Sequence, residues 1–366
     1  MDFGLDLIRM RVTIISAFPE FFNDFLRTSI IGRAVKNGLI RVDCVDLREF
    51  GLGKYRQIDD YSFGSGGMVF MPEPLRLALE YSCGEEYSET ACVVYPSPQG
   101  KLLSHDMVKT LMENKHVVVI CGHYEGIDER FIERYVNLEF SIGDAVLSGG
   151  EIPAMALIDA MARLVPGVVG CMDAVKNDSF FSGMLDHQHY TRPAEWQGVK
   201  VPDILVSGNE SEIKEWRRKQ AIKRTVERRP DLIKFADLRS YIKLYAAFIV
   251  SEGEPDLERM HEASDLCKAN GVIKNFLVSD SLRFDSFKRV RDLEQVIKLL
   301  AKKYKGKYPF IISFTDDKEL SMDDWADLKR NLLESDLPVL VIYKIESGFW
   351  ESSILTLTLK KLSGVV

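Results

Sequence analysis

At residues 121–130 the chain reads Cys121-Gly122-His123-Tyr124-Glu125-Gly126-Ile127-Asp128-Glu129-Arg130. The apolar run at 116–120, which precedes this stretch, predicts a buried strand. Residues 128–136 predict an amphipathic helix with acidic side chains in its first turn. A loop that joins a strand to a helix lies at the carboxyl end of the strand, where ligands bind in open α/β sheets. Its glycines would let a ligand approach the backbone closely.

A second glycine loop follows and reads Ser141-Ile142-Gly143-Asp144-Ala145-Val146-Leu147-Ser148-Gly149-Gly150-Glu151. Two strand-to-helix loops this close in sequence predict a ligand cradle. Neither loop matches the dinucleotide fingerprint G-x-G-x-x-G or the P-loop pattern, which argues against those two classes of nucleotide-binding protein. Taken singly, each loop is explained equally well as an ordinary turn.

Apolar runs alternate with helical patterns from residue 11 to about residue 167 and predict an α/β fold. The predicted strands are 11–18, 39–47, 68–71, 92–95, 117–121 and 138–147. The predicted helices are 20–26, 74–82, 104–113, 128–136 and 152–164. This alternation indicates a mostly parallel sheet covered on both faces, and the pattern alone suggests a doubly wound sheet.

Six segments in collinear order resemble the motifs of the bacterial tRNA (guanine-N1)-methyltransferase family, TrmD. Two of them are the glycine loops. The others are Ile14-Ile15-Ser16-Ala17-Phe18-Pro19-Glu20, Gly32-Arg33-Ala34-Val35-Lys36-Asn37-Gly38, Tyr95-Pro96-Ser97-Pro98-Gln99-Gly100 and His189-Tyr190-Thr191-Arg192-Pro193. The resemblance covers about residues 10–233. It implies methyl transfer from S-adenosylmethionine to N1 of the guanine 3′ of the anticodon, at tRNA position 37.

The same resemblance implies the domain organisation. Residues 10–169 would form a SPOUT-type catalytic domain, a parallel sheet with a deep trefoil knot, which is an exception to the rule against knotted chains. Residues 170–187 would be an interdomain linker, and residues 188–234 a small helical tRNA-binding lobe. The family works as a homodimer in which Asp178 of one subunit would face the cofactor of the other. The knot could not be derived from periodicity.

Two residues match catalytic positions of the family. N1 of guanine carries a proton at neutral pH, so a carboxylate beside it can act as general base. Asp178, in the segment Asn177-Asp178-Ser179-Phe180, matches the family's base. Arg163 matches an arginine that stabilises the negative charge developing on guanine O6, a role that suits a permanently charged donor. From spacing alone, Asp178 would be a solvated or helix-capping acid.

By resemblance, positions on three loops and the following helix line the cleft for S-adenosylmethionine, and much of the contact is through main-chain groups. These positions are Tyr95, Ser97, Gly122, Tyr124, Glu125, Gly126, Ile142, Gly143, Leu147, Gly149, Gly150 and Pro153. Among them, Glu125 would bind the ribose hydroxyls. His123 has no second His or Cys at metal-ligand spacing, so we predict no metal ligands, although the resemblance implies a role for Mg²⁺.

The chain departs from the family pattern at two places. The stretch Phe63-Gly64-Ser65-Gly66-Gly67-Met68 carries a serine inside a glycine run, which would change the wall near the substrate guanine. Ala145 stands where the family favours an aromatic residue, which would loosen one side of the cofactor pocket.

The net charge is −7, yet its distribution matters more than the total for binding RNA. Residues 214–229 form a predicted helix with a large excess of basic side chains, and Trp216 and Ile222 are expected to turn partly inward. The excess of one sign favours phosphate contacts over a merely solvated face. The predicted tRNA-binding residues are His189, Tyr190, Arg192, Lys214, Arg217, Arg218, Lys219, Lys223 and Arg224.

Residues 236–366 lie beyond the resemblance and predict a second α/β domain. The predicted strands are 241–250, 272–278, 310–314 and 339–343, and the predicted helices are 257–269, 293–304 and 323–333. The domain weakly resembles a SPOUT domain, but residues 343–350 hold a single glycine. We therefore predict a degenerate domain that no longer binds the cofactor and serves dimerisation or RNA contact. A second active methyltransferase site and a purely structural domain remain alternatives.

Composition is consistent with this interpretation. No apolar run reaches transmembrane length and no signal-peptide core is evident, so we expect a cytoplasmic protein without a membrane partner. The six cysteines lack C-x-x-C and zinc spacings and are expected to be reduced. Two classes of function remain: a catalytic tRNA methyltransferase, and a non-catalytic RNA-binding or assembly protein on a SPOUT scaffold. The presence of Asp178, Arg163 and both loops favours the enzyme.

Overall fold

The computed structural model describes residues 10–64, 66–84, 91–170, 178–250, 257–278, 286–313, 322–335, 337–345, 359 and 362. The chain divides into two compact units, unit 1 (Met1–Lys176) and unit 2 (Asn177–Val366). Several predictions fall outside the described residues: the first nine residues, Ser65 of the glycine run, most of the first half of the linker, and the late loop after Ile345.

Unit 1 is built on a parallel sheet. Its strands are β1 (Met10–Ser16), β2 (Ile40–Asp46), β5 (Cys92–Leu102), β6 (His116–Ile120) and β7 (Leu138–Ser141), and β3 (Asp59–Tyr61) and β4 (Met68–Phe70) form a separate hairpin. The helices are α1 (Ser29–Lys36), α2 (Pro72–Cys83), α3 (His105–Leu111), α4 (Glu129–Tyr135) and α5 (Glu151–Ala162). The five-stranded sheet has the order β2-β1-β6-β5-β7, and every neighbouring pair is parallel. The predicted α/β class with a parallel sheet is confirmed.

Strand β6 shows why the apolar run before the first glycine loop is continuous. It lies between β1 and β5, and all its residues are buried. Val117 and Val119 pack into a core shared with α1, α3 and α5, whereas Val118 and Ile120 pack into a core shared with α2 and α4. Because both faces of the sheet are covered, residues 117–120 are apolar, and the buried polar residue His116 at the start of the strand is paired with Thr13 Oγ1 at 2.8 Å.

Three features of unit 1 differ from the sequence predictions. The predicted helix at 20–26 is instead two short 3₁₀ turns, Pro19–Phe22 and Phe25–Arg27, and neither turn has a side-chain cap. Strand β3 was not predicted, and helix α1 was anticipated only by the resemblance of residues 32–38 to the end of a family helix. The predicted strand at 138–147 ends at Ser141, since the chain turns at Gly143, whose φ is +142°.

Unit 2 contains a second parallel sheet. Its strands are β10 (Lys243–Val250), β11 (Lys274–Val278), β12 (Lys288–Val290), β13 (Phe310–Ser313) and β14 (Pro338–Ile345), in the order β12-β11-β10-β14-β13. The helices are α6 (Asp203–Val206), α7 (Glu210–Arg228), α8 (Leu257–Ala269), α9 (Leu293–Lys303) and α10 (Met322–Ser335), and β8 (Glu195–Trp196) and β9 (Val199–Lys200) form a short hairpin. The predicted alternation of strands and helices is confirmed, with β12 as an additional edge strand.

The basic helix α7 and the C-terminal sheet share one hydrophobic core. Ile222 of α7 and Ile233 of the following 3₁₀ turn belong to the same buried cluster as Leu244 and Phe248 of β10. The hydrophobic core of unit 2 therefore extends across the domain boundary that we predicted at 234–236. The domain boundaries themselves stay predictions.

The first strand of each sheet occupies an interior position. Strand β1 lies between β2 and β6, and β10 lies between β11 and β14. The described cysteines, Cys44, Cys83, Cys92, Cys121 and Cys267, are free thiols. Among the described residues, no helix combines the length and apolar character that a membrane span requires.

We predict that Gly100→Ala destabilises unit 1 by about 1–3 kcal/mol, the usual cost of forcing atoms into a packed region. A Cβ at Gly100 would meet the backbone of Phe140 and would lie 2.5 Å from the carbonyl carbon of Glu139, where β5 passes β7. Urea unfolding monitored by circular dichroism measures the loss. Gly66→Ala is the control, because nothing lies within 4 Å of its Cβ. Equal stability of the two variants would contradict the packing argument.

Candidate functional site

The first glycine loop is hydrogen-bonded to strand β4 of the hairpin. The N–H groups of Glu125 and Asp128 donate to the carbonyl oxygens of Met68 and Phe70, at 3.2 and 3.0 Å, and Phe70 N–H donates to Gly126 O at 3.0 Å. Tyr124 and Gly126 have φ values of +58° and +117°. A left-handed non-glycine residue such as Tyr124 is uncommon and persists where surrounding contacts hold it. The loop conformation is therefore set by the backbone of its neighbours.

Tyr95 lies in β5 just before the irregularity between Pro96 and Lys101, and its ring packs against two glycines of the first loop. A Cβ at Gly122 or at Gly126 would lie 3.0 Å from the Tyr95 hydroxyl oxygen, so the buried ring would have to shift by a few tenths of an ångström to admit a side chain at either position. Burial, helped by the charge of Glu139, raises the pKa of Tyr95 to about 12, and the hydrogen bond from the backbone of Ile127 only partly opposes this shift. Tyr95 therefore remains a neutral hydroxyl and forms a wall of the site.

The second glycine loop returns to the end of β6, although β7 itself pairs with β5. Gly150 N–H donates to Gly122 O at 3.0 Å, and His123 and Gly149 form a β-bridge. A Cβ at Gly150 would lie 2.9 Å from Cys121 Cα. The structure thus brings the two predicted loops into direct backbone contact, which requires glycine on the second loop.

A buried carboxylate holds the two loops together, and our sequence analysis missed it. Glu151, at the start of α5, is 4% exposed. It accepts a hydrogen bond from Ser16 Oγ at 2.7 Å, and its other oxygen lies 2.9 Å from His123 Nε2. Because a carboxylate only accepts, this His123 nitrogen carries the proton. The sequence pattern around Glu151 is that of an ordinary acidic residue in the first turn of a helix. Its partners Ser16 and His123 are too distant along the chain for a local pattern to predict the contacts.

The other predicted cofactor positions differ in exposure. Tyr124, Ile142 and Leu147 are exposed apolar side chains, at 64%, 39% and 38%. Ser97 and Pro153 are buried, and Ser97 Oγ accepts from Gln99 N–H at 3.2 Å. Exposed apolar walls beside main-chain polar groups suit a flat, partly polar ligand.

Glu125 carries the exposed carboxylate of the first loop. Its side chain packs against Gly67, where a Cβ would lie 2.7 Å from Glu125 Cγ. Gly67 also has a φ of +114°. The altered glycine run therefore adjoins the one acidic side chain of this loop that we expect to contact a ribose.

The two predicted catalytic residues lie in different units. Arg163 caps the C-terminus of α5 and is half-buried, and its N–H donates to Asp159 O at 3.2 Å. Asp178 is half-buried at the start of unit 2, two residues before Phe180, whose φ is +74°. A bulky residue in the left-handed region marks a strained turn.

The turn that carries Asp178 is anchored to the core of unit 2. Leu185 N–H donates to Thr225 Oγ1 at 3.0 Å, and Asp237 N–H donates to Ser182 O at 3.1 Å. Thr225 is fully buried in α7. A Cβ at Gly183 would lie 2.8 Å from Ala236 Cα. These contacts anchor the turn to α7 and to residues 236–237.

The predicted tRNA-binding residues separate into two groups. His189, Tyr190, Arg192 and Arg217 line one pocket of about 530 Å³. The other residues lie on α7, and their exposure differs: Lys214, Lys219 and Lys223 are exposed, Arg224 is half-buried, and Arg218 is 15% exposed.

Arg218 makes internal contacts. It donates to the carboxylate of Glu215, with an N–O distance of 2.6 Å, and to the carbonyl oxygen of Tyr241. Lys219 and Lys223 are loosely paired, at 3.9 Å from Glu215 and 3.8 Å from Glu227. Exposed pairs of this kind contribute little and leave the cations available to another partner.

Comparison with known proteins covers the first two thirds of the chain. A family model described as tRNA (Guanine-1)-methyltransferase TrmD matches residues 10–235. A tRNA (guanine-N(1)-)-methyltransferase of Fusobacterium nucleatum is 47% identical over 230 residues, which is 63% of this chain and 93% of the relative. The corresponding protein of Ruminiclostridium cellulolyticum is 46% identical over 61% of this chain and 96% of its own length. That of Neisseria meningitidis is 48% identical over 61% and 90%. Because the matched region exceeds half of the sequence and contains both glycine loops, Arg163 and Asp178, the chain belongs to the tRNA (guanine-N1)-methyltransferase (TrmD) family.

Proposed function

We propose that this protein transfers a methyl group from S-adenosylmethionine to N1 of a guanine in tRNA, the guanine immediately 3′ of the anticodon, at position 37. The observation that carries the proposal is the junction of the two family loops, where Gly122 and Gly150 meet through their backbones and Glu151 joins Ser16 to His123. Such a junction holds the two glycine loops side by side, so that both loops can contribute to one pocket for a cofactor.

The residues of this junction fit the cofactor. S-adenosylmethionine, when bound, supplies a methyl group already activated on a sulfonium. Tyr124, Ile142 and Leu147 provide exposed apolar surface for its adenine, and Gly143, whose Cβ position has nothing within 4 Å, leaves the backbone of the second loop open to its approach. The exposed carboxylate of Glu125 would accept hydrogen bonds from the ribose hydroxyls. A requirement for Mg²⁺ stays a prediction from the family.

The catalytic work of the chain concerns guanine. Asp178 would take the proton from N1 as the new N1–carbon bond forms, which leaves the base neutral after transfer. General-base catalysis of this kind contributes about 10²–10⁴ in rate. Arg163 would donate hydrogen bonds to O6, where negative charge develops as the proton leaves. The turn that carries Asp178 is anchored through backbone groups and Thr225, which would hold its carboxylate in position.

The tRNA would contact unit 2 through its basic surface. Arg217 and Arg192 share a pocket with Tyr190, and an arginine beside an aromatic ring suits a phosphate next to a stacked base. Lys214, Lys219 and Lys223 add exposed positive charge along α7. Arg218 is the least suited of the predicted set, because Glu215 and Tyr241 O already engage it.

We also infer the finer family features. A trefoil knot is supported by the path of the second loop, which leaves β7 beyond β5 and returns to the end of β6. A homodimer with shared sites is supported by family membership. The C-terminal sheet would be a degenerate SPOUT-like domain that supports unit 2, since its core is continuous with α7. A cytoplasmic location remains our expectation.

Transfer of a labelled methyl group to tRNA transcripts tests the function. We expect the wild-type protein to label a transcript with guanine 3′ of the anticodon and not one with adenine there. Asp178→Ala should lower the rate of transfer at least about a hundredfold, because the proton acceptor is lost, while cofactor affinity changes little. Asp265→Asn, an exposed acid in the same unit, is the control. Near-normal turnover of Asp178→Ala, with chemistry rate-limiting, would show the assignment to be wrong.

Gly149→Ala should weaken binding of S-adenosylmethionine at least about tenfold, or roughly 1.4 kcal/mol. A Cβ there would meet the His123 ring and would lie 2.5 Å from Glu151 Oε2. Neither side chain can retreat easily, because they are paired with each other and Glu151 is buried. Titration calorimetry measures the affinity. Gly170→Ala, with open space around its Cβ, should bind as the wild type does. Unchanged affinity in both variants would show that the junction is not part of the cofactor site.

The shared-site model predicts complementation between two inactive chains. Asp178→Ala chains keep their loops, and Gly149→Trp chains keep their base. In a mixed dimer, one site would combine an intact loop with the Asp178 of the partner chain, so equal mixing should restore roughly one quarter of the wild-type sites by two-fold symmetry. Differently tagged chains allow the mixed dimer to be isolated. An isolated mixed dimer without activity contradicts sharing.

A further inference from the structure

A cluster of two histidines and an aspartate lies in unit 2, at the segment Asp186-His187-Gln188-His189. One ligand atom from each of Asp186, His187 and His189 can be chosen so that all three lie within 4.8 Å of one another. Nε2 of His189 is 2.7 Å from Asp186 Oδ2, and Nε2 of His187 is 3.7 Å from Asp186 Oδ1. The two imidazole centroids are 4.4 Å apart.

The tautomer of His187 follows from its other nitrogen. Nδ1 lies 2.8 Å from the carbonyl oxygen of Gln188. A carbonyl can only accept, so Nδ1 carries the proton and Nε2 of the neutral ring presents a lone pair. That lone pair and the carboxylate of Asp186 are two acceptors near each other at 3.7 Å. Their repulsion is relieved when a cation lies between them.

This arrangement is typical of a metal-binding histidine. Such a residue usually donates its second ring N–H to a backbone carbonyl or a carboxylate, which fixes the tautomer and orients the ring. His187 makes that bond with Gln188 O. The side-chain oxygen Oε1 of Gln188, which lines the same pocket, is buried and has no hydrogen-bond partner. A polar ligand or a bound water in the pocket would satisfy it.

The scaffold of the cluster is already ordered. Asp186 N–H donates to Ser179 Oγ at 2.9 Å, and His187 N–H donates to Asp186 Oδ1 at 2.6 Å. The side chains of Asp186 and His187 are 20% and 14% exposed, whereas that of His189 is 70% exposed. Two ligands are therefore held in place, and the third can move to admit an ion.

We propose that Asp186, His187 and His189 form a binding site for a divalent transition metal of the zinc or cobalt type. Tetrahedral bonds of about 2.0–2.1 Å place neighbouring ligand atoms roughly 3.3 Å apart. The separations of 2.7 and 3.7 Å, which run to the two different oxygens of Asp186, lie on either side of that value, and the three ligand atoms lie within 4.8 Å of one another, so side-chain rotations must draw them together around the ion. His189 must move its ring proton to Nδ1, which requires no net release of a proton.

The donor set decides the class of metal. Two imidazoles and one carboxylate favour zinc, cobalt or nickel, whereas Mg²⁺ prefers oxygen ligands only. A fourth position would face the pocket, which Arg192 and Arg217 also line. Their positive charges oppose a bare cation and favour an anionic oxygen as fourth ligand. The proposal departs from our sequence prediction of no metal ligands, which considered zinc spacings but not this compact segment.

Titration of the full-length, tag-free, chelator-treated protein with Co²⁺ tests the site without tRNA or S-adenosylmethionine. We expect one saturable equivalent, ligand-field absorption of a nitrogen–oxygen site, and no thiolate-to-cobalt charge-transfer band. Zn²⁺ should displace Co²⁺, and excess Mg²⁺ should not. His187→Ala and His189→Ala should each lower Co²⁺ affinity at least about tenfold, since loss of even an outer-shell partner costs that much. His261→Ala, an exposed histidine on α8, should bind as the wild type does.

The His189→Ala variant distinguishes loss of the metal site from loss of folding, because an exposed side chain can be removed without unfolding the protein. Zinc should also raise the thermal midpoint of the wild-type protein and not that of His189→Ala, because a ligand that binds only the native state stabilises it. The proposal is overturned by the absence of saturable Co²⁺ binding, by equal affinity in the His189→Ala and wild-type proteins, by thiolate bands, or by displacement with Mg²⁺. Since no methyl transfer is measured, these outcomes are independent of the proposed function.

Discussion

The buried carboxylate of Glu151 is the interaction on which the candidate site depends. A charged group that is withdrawn from water costs several kcal/mol unless hydrogen bonds replace its hydration. Ser16 and His123 supply those bonds, and they lie at the ends of β1 and β6. The carboxylate can therefore be buried only when the first strand, the first loop and the start of α5 meet at one point.

The close packing that the buried carboxylate requires explains the glycines of the two loops better than a need for backbone flexibility does. Gly149 and Gly150 lie where the second loop passes against His123, Glu151 and Cys121 at contact distance. Gly122 and Gly126 lie under the buried ring of Tyr95. At Gly149 and Gly150 a side chain would push apart elements that the carboxylate holds together, whereas at Gly122 and Gly126 it would press against the Tyr95 ring. The two glycine loops are thus defined by close backbone approach, and the exposed apolar side chains beside them complete the surface.

Unit 2 presents charged and polar side chains on an ordered surface. Thr225 accepts from the backbone of Leu185, so the Asp178 turn and the Asp186 segment are tied to α7. The same helix shares its core with the C-terminal sheet. Cations on α7 are therefore positioned by a hydrophobic core on the opposite face, which is how a protein with a net charge of −7 can offer a local basic surface.

The sequence by itself determined the α/β class, most strands and helices, and the membership of the two glycine loops in one family pattern. These features are local: the apolar run of β6 is continuous because both faces are covered, and the periodicity of α8 shows in its own residues. Short segments were less predictable, since the 3₁₀ turns at 19–27 and the end of β7 at Ser141 depend on a few dihedral angles.

Only the tertiary structure decided which side chains meet. Ser16 and Glu151 are 135 residues apart in sequence, and Leu185 and Thr225 are 40 apart. The internal contacts of Arg218, predicted to face tRNA, also involve a carbonyl from beyond its own helix. The physical reason is that the burial of a polar group and its partner are set by packing between distant segments, which periodicity and composition do not encode.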